Sequence, residues 1–401
     1  MVSFLPRKEK FMSDIETIIK QQSPKGKNFK TLVEKLSQID DPRVDRMKLH
    51  PLESILAIYL CATVCNRTGW DEVFDFAQSR AVFFQEIIPL PNGIPSADTF
   101  SRVIERINPK LIQQVTLEWH KSLQRESFDE VEDRQISLDG KTLRLSHNQR
   151  DNKKATHIVN AWSSSQNLVL AQEAVLDKCN EISAMREMLN YIDIDGTTVS
   201  IDAIGCQTEF AETIISKKAD YFFALKTNQL GTHSIVRLHF EKIDQESERT
   251  TNRYHKTLEK DHGRIEKREC FIAEAPSSLK QKWQNINTIG VVISYRTVNG
   301  KTSTDQRYFI TSLLCNAAIF MQKARNHWAI ENSLHWVLDV DFKEDASRIR
   351  SGFAPQNSSW FRCLALSLLK KEPTRLSIRR KILKASDDLK YLIKVLFNST
   401  N

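Results

Sequence analysis

The sequence predicts an α/β fold, a mixed-sheet core with helices on both faces, preceded by an all-helical N-terminal domain. Three observations carry this expectation. Apolar residues recur at helical spacing from residue 10 to about 125, and from RQISLDGK onward the period shortens to that of strands. Strands and helices then alternate as far as residue 228.

In the N-terminal domain (1–128), FMSDIETIIK, FKTLVEKLSQI and LESILAIYLCATVC read as separate helices, broken near Asp41-Pro42 and His50-Pro51. A loop, IPLPNGIPSAD, leads to the helix DTFSRVIERI, which Ser96 can cap by accepting an orphan backbone N–H. Arg102 and Arg106 on that helix suit a DNA-reading helix pair, and a plain helical scaffold fits the same residues. An acidic hinge, FDEVEDR, precedes three strands: RQISLDGK, ATHIVNAWSSS and NLVLAQEAVL. NEISAMREMLNYI is a helix, TTVSIDAI a fourth strand, CQTEFAETIISKK a helix and DYFFALKT a fifth strand. That order, over 129–228, is the order of a ribonuclease H-like core. Residues 229–312 read as a strand-rich insertion, polar at first, and 313–369 as the rest of the core, on the long helix AAIFMQKARNHWAIENSLHWVLDV. The tail, 370–401, is basic: nine Lys/Arg against three acids from Lys370 to Lys394, an excess of 9 − 3 = +6, which suits tracking along a DNA backbone.

Composition points the same way. Lys plus Arg outnumber Asp plus Glu by 58 to 50, a net charge of +8 that suits a polyanion partner. No apolar run is long enough to span a membrane, and MVSFLPRKEKFMSD lacks the apolar centre of a signal peptide. The seven cysteines form no CxxC pair, which argues against a zinc ribbon or disulfide framework and for a reducing cytoplasm.

Asp139 ends ISLDG and Asp202 lies in VSIDAIG, each an acid closing an apolar strand. Asp139-Gly140 by itself would be a turn dipeptide. If the first and fourth strands are neighbours, the two carboxylates face one another, and a divalent cation relieves their repulsion. Glu331, at the edge of an apolar helical stripe, is the candidate third acid; Asp339, Asp341, Glu344 and Asp345 compete but fall past the expected helix end. Three carboxylates suit Mg²⁺ or Mn²⁺, and a pair of ions would support in-line displacement at phosphorus. A rival reading is a zinc-binding row of His327, Glu331 and His335, which lacks HExxH spacing and leaves both aspartates unexplained. Trp328 and Trp336 are expected in the core, and Trp162 could serve either core or stacking.

LDGKTLR, SIDAIGCQTE, YFFALKTNQ, DHGRIEKRE and above all RNHWAIENSLHWVLDVDFKEDASRIR resemble the DDE transposases of bacterial insertion sequences, in the branch containing the H-repeat-associated proteins. DPRVDRMKLHPLESILAIYLCATVCNRTGWDEVFDFA and LPNGIPSADTFSRVIERI are similar to that branch's helical domain, so the resemblance runs from about residue 38 to the C-terminus. It implies metal-dependent DNA cleavage at element ends and strand transfer, binding to terminal inverted repeats and target DNA, and work as a homodimer or larger synaptic complex. Its metal-binding acids carry over onto Asp139, Asp202 and Glu331, separated by 63 and 129 residues. It makes Lys141, Arg144, Lys226, Asn228, Gln229, His262, Gly263 and Arg264 DNA contacts. Related families place tyrosine, arginine and lysine around the glutamate where this chain has Ala324, His327 and Leu338. Arg325 and His327 would then take over the phosphate contact, and His335 part of the lysine's role. The alternative to an active enzyme is a catalytically silent or domesticated DNA-binding protein.

Overall fold

The computed structural model describes residues 27–124, 134–147, 154–175, 180–242, 249, 251–261 and 263–397. In chain order, helices α1 (Lys27–Leu36), α2 (Leu52–Val64), α3 (Trp70–Ser79), α4 (Ala81–Ile87), α5 (Ala97–Arg106) and α6 (Pro109–Gln124) come first. Then follow β1 (Gln135–Thr142), β2 (His157–Ser163), β3 (Leu168–Val175), α7 (Glu181–Tyr191), β4 (Thr198–Ile201), α8 (Thr208–Ser216) and β5 (Asp220–Leu225). After α9 (Leu230–Glu241) come β6 (Tyr254–Asp261), β7 (Arg264–Glu274), β8 (Thr288–Val298) and β9 (Lys301–Thr311). The chain ends in α10 (Ala317–Ile330), α11 (Trp336–Val340), α12 (Ala354–Lys371), α13 (Ile378–Asp387) and α14 (Leu389–Phe397). Among the described residues no helix is long and apolar enough to cross a membrane.

The chain divides into two compact units, one of residues 1–130, 142–158 and 334–401, the other of 131–141 and 159–333. In the first, α2 is apolar on every side and is buried on every side, packed along α12. The Ser96 hydroxyl accepts the Thr99 N–H at 3.3 Å and starts α5. The last carbonyls of that helix region are met by Asn357, whose amide donates to Ile104 O (2.8 Å) and Ile107 O (2.9 Å). The basic tail folds in part inward. Lys381 is buried and its ammonium donates to Leu369 O at 2.8 Å, while the Tyr391 hydroxyl donates to the Glu372 carboxylate at 2.7 Å. Part of the tail's positive charge therefore holds helices together and does not face solvent. Trp336, expected in the core, is 55 % exposed, because the apolar face of α11 is carried by Val337 and Leu338.

The second unit holds most of one nine-stranded sheet in the order β3-β2-β1-β4-β5-β9-β8-β7-β6. β4 lies parallel between β1 and β5, while β9, β8, β7 and β6 add antiparallel beyond β5. Alternation sorts the side chains onto two faces. Ile136, Leu138, Val199, Ile201, Tyr221 and Phe223 enter a core shared with Met185 and Met188 of α7 and Phe210 and Ile214 of α8. On the other face Phe222, Cys270, Val292 and Phe309 pack under Ala317, Phe320, Met321 and Ala324 of α10. Gly290 makes that packing close: a Cβ there would stand 2.4 Å from the Phe320 ring. Trp162 is buried, which decides its role in favour of the core. α9, placed by sequence at the start of the strand-rich insertion, is a helix that buries Val236 and Phe240 in the first core.

Candidate active site

A polar ladder positions the acids. Because Ile136, Leu138, Val199 and Ile201 point into one core, Gln135, Ser137 and Asp139 on β1, and Thr198, Ser200 and Asp202 at β4, share the opposite face. Above that face α10 and its continuation bring Lys323, His327 and Glu331, four residues apart. Two strand residues advance about 6.7 Å and four helical residues about 6 Å, so strand and helix stay in step over three rungs.

In the first rung Gln135 Nε2 donates to Lys323 O and to Ser200 Oγ, both at 3.0 Å. In the second, Ser137 Oγ and Ser200 Oγ are 3.0 Å apart and His327 Nδ1 lies 3.1 Å from Ser200 Oγ. The third rung is acidic: carboxylate oxygens of Asp139 and Glu331 come within 4.8 Å of one another. Gln135, Ser137 and Ser200 are fully buried, so their polar groups have no solvent partners to fall back on.

The helix changes pitch at this point. α10 ends at Ile330, and Glu331–His335 form a π-helical turn before α11. Such turns cluster at functional sites because one extra residue re-aims the side chains they carry. Glu331 is the exposed first residue of the turn and His335 its buried last.

Asp139 accepts its neighbour Gly140's N–H at 2.9 Å. Asp202 follows Ile201, the residue paired with Leu138, so the two aspartates stand at equivalent positions on adjacent parallel strands. The Asp202 carboxylate caps a short 3₁₀ turn by accepting the Ile204 N–H at 2.9 Å. Burial raises its pKa above the ordinary carboxylate range, against the lowering pull of the Ile204 N–H and the Lys226 ammonium. Gly205 closes that turn where a Cβ would lie 2.3 Å from the Ile201 side chain.

The other candidate residues fall into separate groups. Lys226 sits near Asp202, and the Asn228 amide donates to Ala203 O, so the KTN segment lies against the Asp202 turn. Gln229 is 3.5 Å from the Lys282 ammonium. Lys141 follows Asp139 by two residues on β1. Arg144, in the first unit, pairs with Asp345 at 3.3 Å. Arg264 and Arg325 join one ion-pair chain: Arg264 to Glu266 (3.2 Å), Glu266 to Arg268, Arg268 to Glu259 (3.0 Å), and Glu259 to Arg325 (2.5 Å). Gly263 takes a left-handed turn conformation, φ +75°, between β6 and β7, and His262 lies outside the described residues. His327 is buried in the ladder, where Ser200 holds its Nδ1, so the zinc row of His327, Glu331 and His335 does not assemble. The ladder itself was missed from sequence; the one signal available was Gln135, Ser137 and Ser200 alternating with apolar residues on strands otherwise read as buried.

Burial, reinforced by Arg307 and opposed by Glu331, pushes the His327 pKa down to about 4. The unfolded chain, with an ordinary histidine near 6.5, then binds more protons than the folded one between those two values. Stability conferred by a neutral His327 is complete above pH 6.5 and is lost as pH falls toward 4, by about 3 kcal/mol. Urea unfolding at pH 7 and pH 5 should show the loss, and His327→Gln should flatten that part of the pH profile.

Residues 131–368 match the family model of the transposase DDE domain, and residues 33–120 match the model described as DDE_Tnp_1-associated. The chain is 34 % identical over 382 residues to YhhI, an H repeat-associated transposase candidate of Escherichia coli strain K12, covering 92 % of this chain and 99 % of that one. It is 33 % identical over 376 residues to YncI, a transposase candidate of Escherichia coli O157:H7, covering 92 % and 95 %. A solved structure of the piggyBac transposase synaptic complex with hairpin DNA aligns with 92 % of this chain and 78 % of its own, at 11 % identity and a TM-score of 0.42.

Proposed function

This chain belongs to the DDE transposase family, and from that premise we propose that it cleaves DNA at the ends of an insertion element and joins them to a target, using Asp139, Asp202 and Glu331 as metal-holding acids. The observation that carries the reading is the approach of the Asp139 and Glu331 carboxylates to within 4.8 Å at the end of a ladder whose lower rungs are buried. Two negative groups held that close repel one another, and their oxygens are the donors that a hard divalent cation prefers. The donor set therefore fits Mg²⁺ or Mn²⁺, as one ion or a pair. Such an ion, when bound, activates a water or a 3′-hydroxyl and stabilises the departing oxygen of a phosphodiester.

The chain's own residues do the rest. Asp139 and Glu331 hold the cation with little rearrangement, since the ladder fixes β1 against the helix. Asp202 completes the set by turning from the Ile204 N–H toward Asp139, its neighbour across the strand pair, with Lys226 balancing the added charge. Lys141, Asn228 and Gln229 contact the DNA backbone near the acids, and Arg264 and Arg325 contact it further along the sheet. β1 to β5 with α7, α8 and α10 act as a ribonuclease H-like core, β6 to β9 as its insertion, and the N-terminal helices and basic tail as DNA-binding parts. The partners are terminal inverted repeats and target DNA, bound by a homodimer or larger synaptic complex on the nucleoid in the cytoplasm.

The test is incubation of the full chain with Mg²⁺ or Mn²⁺ and duplexes carrying the element's ends. Nicked ends and joined products, abolished by chelation, are expected. Binding of those ends with no cleavage at any concentration of either metal would leave a catalytically silent DNA-binding protein instead.

A further inference from the structure

The string EDASRIR is among the most distinctive in the sequence, and its arginines lie in the first unit. In the first unit, residues Ala346–Ser351 line a cleft of about 850 Å³ whose other walls include Trp70, Ser101 and His147. A space of this size is in the range of small-molecule binding clefts (about 300–1,000 Å³). Its chemistry is cationic and hydroxylated. Arg348 is exposed and makes no ion pair among the described residues. Arg350 is steered by its Nε, which donates to Leu145 O at 3.1 Å, and Ser347, Ser351 and Ser101 add hydroxyls. The one carboxylate among the described residues of the wall, Glu72, is already engaged: it accepts the Thr68 N–H at 3.1 Å and the Gly69 N–H at 3.2 Å. The Trp70 indole is half-buried, held by the Tyr59 ring at 5.7 Å.

Two guanidinium groups with serine hydroxyls recognise a phosphate, because planar paired N–H donors match its oxygens. An indole beside them takes the flat face of a base, an interaction every base can make. We propose that this cleft holds one phosphate and the adjoining base of a DNA strand, with Arg348 and Arg350 on the phosphate and Trp70 against the base. The proposal rests on the reading that DNA is this protein's partner.

The experiment measures binding of a labelled single-stranded oligonucleotide of about ten nucleotides to the full chain, with metal chelated so that no cleavage occurs, over a range of salt. Arg348→Ala is expected to weaken binding about tenfold at low salt and to lower the salt slope by about one. Arg348→Lys should keep the slope and recover only part of the affinity. An oligonucleotide carrying 2-aminopurine should be quenched by the native chain and not by Trp70→Leu, whose folding is checked by thermal melting. Unchanged affinity and slope in a folded Arg348→Ala overturn the proposal. So does equal competition by millimolar dAMP, which would make a free nucleotide the ligand. Metal-dependent cleavage that survives alongside Arg348-independent binding removes the cleft and leaves the transposase reading. Arg348-dependent binding with no cleavage removes the activity and leaves the cleft.

Discussion

Asp139→Asn and Glu331→Gln should each lower metal-dependent DNA cleavage by about 10³-fold or more, equivalent to about 4 kcal/mol of transition-state stabilisation. The same variants should stay folded when metal is absent, which thermal melting checks. With Mn²⁺ present the native chain should gain melting temperature by mass action and the variants should not. Unchanged cleavage would remove the acids from the site. Asp202→Asn is expected to separate two effects. It loses activity, and because burial raises the pKa of the native acid, the neutral amide should be tolerated at the 3₁₀ turn.

Ser200→Ala should produce the largest loss of stability from a single hydroxyl in this unit. Ser200 Oγ meets Gln135 Nε2, Ser137 Oγ and His327 Nδ1, all within 3.1 Å and all buried. Gln135 keeps its bond to Lys323 O, but Ser137 and His327 lose the partner that joins strand to helix. Two buried polar groups left without it amount to about 2–4 kcal/mol. Ser137→Ala, which removes one contact, should lose less than half as much. If Ser200 holds Glu331 over Asp139, Mn²⁺ affinity should fall with stability in Ser200→Ala, measured by calorimetry at a temperature where the variant is folded. Native Mn²⁺ affinity in that variant would show that the lower rungs do not position the acids.

Much of this fold is legible in the residues. The alternating Ile136 and Leu138 of β1, the β-branched run of β4 and the aromatic run of β5 announce buried strands, and the helix spacing of α5 is plain, down to the Ser96 cap. The pairing of β1 with β4 follows from that strand order and appears in the sheet. What sequence hides is long-range. β7, β8 and β9 read as strands, but nothing local says that β9 will add to β5 and continue the sheet. α9 is not recognised as a helix within the strand-rich insertion because its buried face consists of only Thr232, Val236 and Phe240. Asp139 and Glu331 could be named as acids at an apolar edge; their closeness depends on the ladder, whose members are inconspicuous serines and one glutamine. The tail misled in one respect, since charge counted along a chain cannot tell a solvated lysine from Lys381, which is turned inward onto carbonyls.

The π-helical turn at Glu331–His335 gives this helix a tolerance for changes in length. Its wider winding contains one residue more than an ordinary α-turn would use, so a deletion there can be absorbed by reverting to regular pitch, with the flanking segments keeping their facing. The same deletion within α10 would rotate every following side chain by about 100° and pull Phe320 or Ala324 off the sheet. A deletion in this turn would change the aim of the glutamate without unseating the helix, so loss of a residue there would alter chemistry before it altered the fold.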